Sequence, residues 1–137
     1  MSVLKSTIGA IALCSAVSAN AAAANPPLRE VARVDDGLLY VAIANEIRKN
    51  CDEISARFGQ GIQTLRGLNR YARDLGYSQF EIDAFTDSEF EKDRLRARGA
   101  LYYSAHGVDP TKPEDFCRLG RAEINKNSAI GVLLRAK

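Results

Sequence analysis

Hydrophobic and polar positions repeat along this chain mostly at helical intervals. The longest such stretch is residues 36–58, where one apolar face is unbroken. Spacings of three, four and seven residues place these side chains along one side of an α-helix, or of two helices joined end to end. We expect Asp35 or Asp36 to cap its start, because a short side-chain oxygen accepts a backbone N–H left free there. The apolar positions are Tyr40, Ile43, Ala44, Ile47, Cys51, Ile54 and Phe58.

A second helix is predicted from about Arg57 or Gly61 to Leu75. Gly76 follows it, at the position where helices commonly end on a glycine. Gly67 lies near the apolar side of this helix, so we expect it to admit a closely packed neighbour. The apolar face comprises Phe58, Ile62, Leu65, Leu68, Ala72 and Leu75.

Two capping-box patterns predict the next two helices. Ser78 with Glu81 opens a short helix, and Thr86 with Glu89 opens a longer one that ends near His106. The inner stripe predicted for the longer helix is Phe90, Ala97, Leu101 and Ala105, with Leu95 and Tyr102 beside it.

Pro113 suits the first position of the last long helix, where its missing N–H has no intrahelical partner to lose. Ser128 is predicted to cap a final turn. Since no segment alternates between apolar and polar residues with a period of two, we expect an all-α fold. The expected architecture is a compact bundle of about five helices, closed by one disulfide.

The first residues have the pattern of a signal peptide. Lys5 precedes an apolar run over residues 8–17, and small residues follow at Ala19 and Ala21. We expect cleavage after Ala21, with Ala24 as the next site. The apolar run is shorter than the roughly 20 residues that span a bilayer, so it does not predict a membrane anchor.

This pattern divides the chain into three parts. Residues 1–21 are the signal peptide, residues 22–35 an extended leader, and residues 36–137 a single helical domain. The mature chain has no predicted membrane span, and we expect it in the periplasm after export by the Sec pathway. The full chain carries a net charge of +2, and losing Lys5 leaves +1. A nearly neutral chain lacks the basic surface of a nucleic-acid-binding protein.

The cysteine count changes the picture of the core. Cys14 leaves with the signal peptide, so Cys51 and Cys117 remain. In an exported chain such a pair predicts a disulfide. Metal ligation is the rival interpretation, but neither cysteine has a histidine near it in sequence, and zinc needs four ligands.

Three arginines form the only candidate binding site. Arg66, Arg70 and Arg73 share a helical face, and aligned guanidinium groups can hold an anion or a carboxylate-rich partner. The alternative is that they pair with the acidic stretch over residues 81–93, or are merely solvated. The single histidine, His106, is interpreted as a helix cap or a surface residue. Because no motif supplies a nucleophile, a general base or a cofactor site, we expect a non-enzymatic protein without metal or cofactor.

Five short stretches carry a family resemblance. These are residues 36–39 (DGLL), 48–51 (RKNC), 73–78 (RDLGYS), 107–110 (GVDP) and 117–124 (CRLGRAEI). In them the chain resembles small exported alphaproteobacterial proteins that are grouped as a domain of unknown function. The resemblance implies export and a two-cysteine helical body, and it implies no activity. A more remote likeness, in architecture alone, is to periplasmic acid-stress chaperones.

The favoured interpretation is a non-catalytic periplasmic module that binds another protein or joins an envelope complex. One alternative is an acid- or stress-responsive holdase, and another is a binder of small molecules or anions. A broad exposed apolar patch would favour the first two functions, whereas an enclosed apolar pocket would favour the third.

Overall fold

The computed structural model describes residues 24–137. Over this range it contains five α-helices and one two-stranded sheet, which confirms the predicted helical class and adds a sheet that was not predicted. Two short 3₁₀ turns lie at Leu28–Glu30 and Gly131–Leu133. The elements are α1 (Ala32–Asn50), β1 (Ile54–Ala56), α2 (Phe58–Asp74), α3 (Gln79–Asp87), α4 (Glu89–Ala105), α5 (Pro113–Lys126) and β2 (Leu134–Ala136).

Helix α1 is the central element and packs against α2, α4 and α5. Its inner face carries Leu39, Ile43 and Ile47, of which the two isoleucines are almost fully excluded from solvent. This is the face that the spacing predicted, and it forms the main core with α5 and the C-terminal segment. Burying one such aliphatic side chain stabilises the fold by about 1.5–3 kcal/mol.

The helix predicted by the face over residues 36–58 ends at Asn50, within residues 48–50, where the sequence predicts an end or a kink; residues 51–57 of that face are not helical. The backbone is extended at Cys51, and the chain then enters β1. In the antiparallel sheet Ile54 lies opposite Ala136, and Ala56 lies opposite Leu134. Ile54 is buried, as the helical interpretation also required, so the periodicity of a three-residue strand could not be told from that of a helix.

The start of α1 also differs from the prediction. The helix begins at Ala32 without a side-chain cap, so residues 32–35 of the predicted extended leader are helical. Neither Asp35 nor Asp36 caps the helix, because both lie inside it; the Asp35 carboxylate instead accepts hydrogen bonds from arginines of α4. Upstream, the Tyr77 hydroxyl donates to the Pro26 carbonyl at 2.5 Å, which ties the leader to the body. The predicted signal peptide, with Cys14, lies outside the described residues.

The predicted disulfide is confirmed. The sulfur atoms of Cys51 and Cys117 are 2.02 Å apart, and their Cα atoms are separated by 5.1 Å. The bond joins the end of α1 to α5 across 66 residues of sequence. Closing a loop of that length restricts the unfolded chain and stabilises the folded one by about 4 kcal/mol.

Two glycines allow helices to approach α1 closely. A methyl group at Gly120 of α5 would lie 2.7 Å from Cγ2 of Ile47, and a methyl group at Gly37 of α1 would lie 2.7 Å from a terminal carbon of Leu68. Both separations are shorter than van der Waals contact allows. Nothing lies within 4 Å of such a methyl group at Gly67, so the close neighbour predicted there is wrong.

The capping predictions are partly confirmed. Ser78 and Glu81 form the predicted capping box at the start of α3. At the start of α4 the cap is Ser88, which accepts a hydrogen bond from the backbone N–H of Glu91 at 3.3 Å, so the predicted Thr86 cap is wrong. Directly before it, α3 extends to Asp87 and includes Thr86 within the helix.

The inner stripe predicted for α4 is wrong. Phe90 and Leu101 are 64% and 71% exposed, whereas Glu91 and Gly99 are buried and Leu95 is half-buried. The helix is therefore rotated relative to its predicted orientation, because Glu91 enters the interior with arginine partners. Among the described helices, none has both the length and the apolar content to cross a membrane.

Two glycine substitutions test the close approach of α5 to α1. Gly120→Ala should lower the free energy of unfolding by about 1–3 kcal/mol, because the added methyl group overlaps Ile47 and Ile54. Gly67→Ala is the matched control and should raise it by about 0.5–1 kcal/mol, since the site is open and alanine favours the helix. Urea unfolding measures both changes, and equal effects would contradict the close approach.

Candidate functional site

An open trough runs along the outer side of α1, between α2 and α4. Its floor is a stripe of α1 residues spaced at three, four and seven positions, which is the spacing of one helix face. We call the floor and its two walls the α1 trough. The floor comprises Leu38, Val41, Ala42 and Asn45; the walls comprise Ile62 and Leu65 of α2, and Lys92 and Leu95 of α4.

The trough is continuous because neighbouring cavities share lining residues. Val41 and Asn45 line both a cavity of about 160 Å³ against α2 and one of about 290 Å³ against α4. Ala42 also lines a third cavity of about 300 Å³, which extends to Tyr103. Phe85 of α3 lies at the end near the start of α1. From Leu38 to Asn45 the floor spans roughly 10 Å, or about two helical turns.

The α2 wall leaves a large apolar surface open to solvent. Phe58, Ile62 and Leu65 are 65%, 50% and 42% exposed, and they follow one another along a single helix face. Ala72 is the one buried residue of α2. Isolated exposed apolar residues are ordinary, but a contiguous row beside a groove is typical of an interaction site.

Polar groups line the trough on α1 and on α4, among them Asn45, Lys92 and Tyr103. Burial, with a smaller effect of Glu46, raises the pKa of Tyr103 to about 12, so its hydroxyl stays protonated at neutral pH. Lys92 pairs with Glu89 at 2.8 Å, and both side chains are largely exposed. None of the residues lining the trough, all within 24–137, is a serine, cysteine or histidine. The polar side chains of the trough can orient a bound polar group.

A buried ionic cluster joins α1 to α4, and the sequence did not reveal it. Asp35 is 5% exposed and pairs with Arg94 and Arg98, while Glu91 is 3% exposed and pairs with Arg29 and Arg94. The hydrogen bond to Asp35 raises the pKa of the Arg94 guanidinium above its ordinary value. Every buried side-chain polar atom of the described residues has a partner. The cluster therefore has a structural explanation.

The third buried acid, Glu123, holds the C-terminal segment. Tyr102 donates to Glu123 at 2.8 Å, and Ser128 donates to it as well. Burial alone would raise the pKa of Glu123, but hydrogen bonds from Ser128 and Tyr102, and the charge of Lys126, hold it below its ordinary value. Ser128 also accepts a hydrogen bond from the backbone N–H of Gly131, which is consistent with its predicted capping role.

The predicted arginine site is brought together by the structure. Arg66, Arg70 and Arg73 are exposed on α2 and line a shallow cleft with Asn69 and Asp74. We call these three residues the arginine row. None of them forms a salt bridge with any residue in 24–137. The alternative of pairing with residues 81–93 therefore does not explain them, and their role in binding stays a prediction.

The single histidine is a helix cap, as predicted. His106 is the C-cap of α4, its ring stacks on Tyr102 at 4.0 Å between ring centroids, and Nδ1 lies 2.7 Å from the Tyr102 carbonyl oxygen. Over residues 24–137 no group of three or more histidine, cysteine, aspartate or glutamate side chains is arranged to hold a metal ion.

These features define a small, disulfide-closed helical protein with an open apolar trough and an arginine row that makes no salt bridge within residues 24–137. Residues 26–135 match DUF5333, a family of unknown function, and the chain belongs to that family. The matched segment contains both cysteines, the α1 trough and the arginine row. No curated protein and no solved structure matches the chain.

Arginine substitutions separate surface residues from structural ones. Replacing Arg66, Arg70 and Arg73 together by alanine should change the free energy of unfolding by less than about 1 kcal/mol, because no ion pair is lost. Arg94→Ala is the contrasting control. This substitution should lower the free energy of unfolding by about 3 kcal/mol, because Asp35 and Glu91 each lose a buried partner. Thermal unfolding measures both, and a large loss in the triple variant would show that the arginine row is structural.

Proposed function

We propose that this protein is a non-catalytic interaction module of the periplasm that docks a helical segment of a partner protein in the α1 trough. The observation that carries this proposal is the uncovered stripe of α1. Leu38, Val41 and Ala42 lie between two helix walls, and no described element covers them. A stripe with this spacing matches the side-chain ridges of another helix, as in helix-in-groove recognition.

The openness of the site supports a protein segment over a small ligand. An enclosed apolar pocket would favour a small molecule, because such pockets surround most of the ligand surface. Here the cavities form one elongated surface along α1, and the adjoining residues Phe58 and Ile62 are at least half exposed. A partner helix would cover a surface of this shape along its length.

The proposed compartment has separate support. The Cys51–Cys117 disulfide indicates an oxidising environment, since disulfides persist mainly in exported proteins. The predicted signal peptide specifies the periplasm and the Sec pathway.

A holdase is the second candidate function. Its support is the exposure of large apolar side chains outside the trough, above all Phe80, which is 81% exposed, and Leu101, which is 71% exposed. A holdase uses such residues collectively and without a defined register. Its binding should therefore tolerate a change confined to the floor of the trough.

A photo-cross-linking residue at Ala42 tests the docking proposal. Ala42 is exposed on the floor, and Ala97 is exposed on α4 outside the trough, so Ala97 is the matched control. Irradiation of cells that produce the full chain should give a defined adduct from position 42 and none from position 97. The cross-linked partner peptide, identified by mass spectrometry, should be an amphipathic helix.

A second version of the experiment places the cross-linker at position 38 and should give the same partner. Ala42→Gln should abolish the adduct formed from position 38, because the longer side chain fills the floor. The substitution should lower the free energy of unfolding by only about 0.4 kcal/mol, which is the difference in helix propensity between alanine and glutamine. Ala97→Gln should leave the adduct unchanged. Adducts of equal strength from positions 42 and 97, spread over many proteins, would favour the holdase.

Export is tested by the N-terminus of the protein isolated from the periplasmic fraction. Mass spectrometry should find a chain beginning between Ala22 and Asn25, because the small residues at Ala19 and Ala21 suit signal peptidase. The bound leader is consistent with such a start, since the tie to Tyr77 is made by Pro26, downstream of the cleavage region. An intact Met1 on a membrane-bound product would contradict export and cleavage.

A further inference from the structure

We infer that the segment docked in the α1 trough is an acidic amphipathic helix, with an apolar stripe that faces α1 and a row of carboxylates that faces the arginine row. This inference rests on the proposed function and adds the chemistry of the partner. It follows from the position of the arginine row on α2 and from the absence of internal partners for it among residues 24–137.

The arginine row lies directly beside the apolar wall of the trough. Ile62 lines the trough, and Asn69 lines the neighbouring cavity that also contains Leu65 of the wall; Arg66 and Arg73 follow these two residues by four positions. Residues four apart are neighbours on a helix face. Around α2 the order is therefore the contact with α1, then the exposed apolar wall, then the arginines. A helix seated against the wall would have one flank beside the arginine row.

The charges of this flank are free to act on a partner. Arg66, Arg70 and Arg73 are exposed and make no salt bridge within the described residues, and the same is true of Arg57 at the open end of the wall. Asp74 is the acid that lines the same cleft. Three free guanidinium groups against one carboxylate leave a positive edge, and such an edge attracts acidic partners and repels basic ones.

The α4 wall on the opposite side also carries positive charges, but acidic residues largely neutralise them. Lys92 and Arg96 line the trough on α4, where they pair with Glu89 and Asp93 of their own helix. These are exposed pairs between neighbouring turns of one helix, so each stabilises the fold only slightly. The α2 wall is therefore the wall that discriminates between acidic and basic partners. From Arg66 to Arg73 the row spans roughly 10 Å, so carboxylates that recur every three or four residues on the partner would face it.

Three synthetic peptides test the inference. Each is about 18 residues long and stapled to hold the helix, because short free helices are marginal in water. All three carry the same leucine stripe, while the flanking positions are glutamate, glutamine or lysine. Fluorescence anisotropy with the full mature chain should show that the glutamate peptide binds about tenfold more tightly than the glutamine peptide in about 50 mM salt. The lysine peptide should bind more weakly than both.

Two controls locate the effect. The double substitution of Arg66→Gln and Arg73→Gln should remove the preference for glutamate, and so should salt of about 1 M, which screens exposed charges. The matched control, Arg135→Gln with Lys137→Gln, removes two exposed charges from the C-terminal segment and should leave the preference intact. Ala42→Gln should weaken all three peptides alike.

The other outcomes separate this inference from the proposed function. Equal binding of the glutamate and glutamine peptides, both lost in Ala42→Gln, would overturn the acidic partner and leave the docking function standing. Failure of all three peptides would overturn the inference, and the cross-linking at Ala42 would then decide the docking function. Self-association that Ala42→Gln abolishes would identify the occupant as a second copy of this chain. Tighter binding to anionic vesicles than to the glutamate peptide would assign the arginine row to a membrane surface.

Discussion

Helices α1 and α5 approach each other at Gly120 so closely that Ile47 and Ile54 fill the space a side chain would take. This contact positions Cys117 opposite Cys51, which allows the disulfide, and it brings β1 beside the C-terminal segment, where it pairs with β2. Main-chain pairing, a covalent bond and aliphatic packing thus meet at one end of α1. At that end the inner face of α1 is fully covered, so α2 and α4 pack against the remaining faces of α1.

The trough is a consequence of how those two helices are held. Helix α4 is fixed to α1 by the cluster around Asp35 and Glu91, which draws its N-terminal half toward the start of α1. Helix α2 packs against α1 at Gly37, where Leu68 occupies the space over the glycine. Both attachments lie near the N-terminal part of α1. Farther along, the floor from Val41 to Asn45 lies between two walls and carries no covering element among residues 24–137.

The sequence predicted the elements better than their orientation. The apolar spacing located Ile43 and Ile47 in the core, and the cysteine count identified the disulfide, because both signals are local or nearly unambiguous. The α4 face could not be predicted, since a pattern of apolar residues assigns Glu91 to the surface. Its burial depends on Arg29, which is far away in sequence, and on Arg94. The trough was equally hidden: α1 is apolar on several sides, and only the tertiary packing decides which of Leu38, Leu39 and Val41 remains uncovered.

The pairing of β1 with β2 also constrains when the molecule can fold. Ile54–Ala56 precedes α2, yet its partner is Leu134–Ala136, and Cys51 likewise waits for Cys117. The main core around α1 therefore cannot close until the segment to residue 136 has been synthesised. Until then the chain keeps its apolar core residues open, and disulfide formation can accompany only the last step of packing, in the oxidising compartment that a disulfide requires.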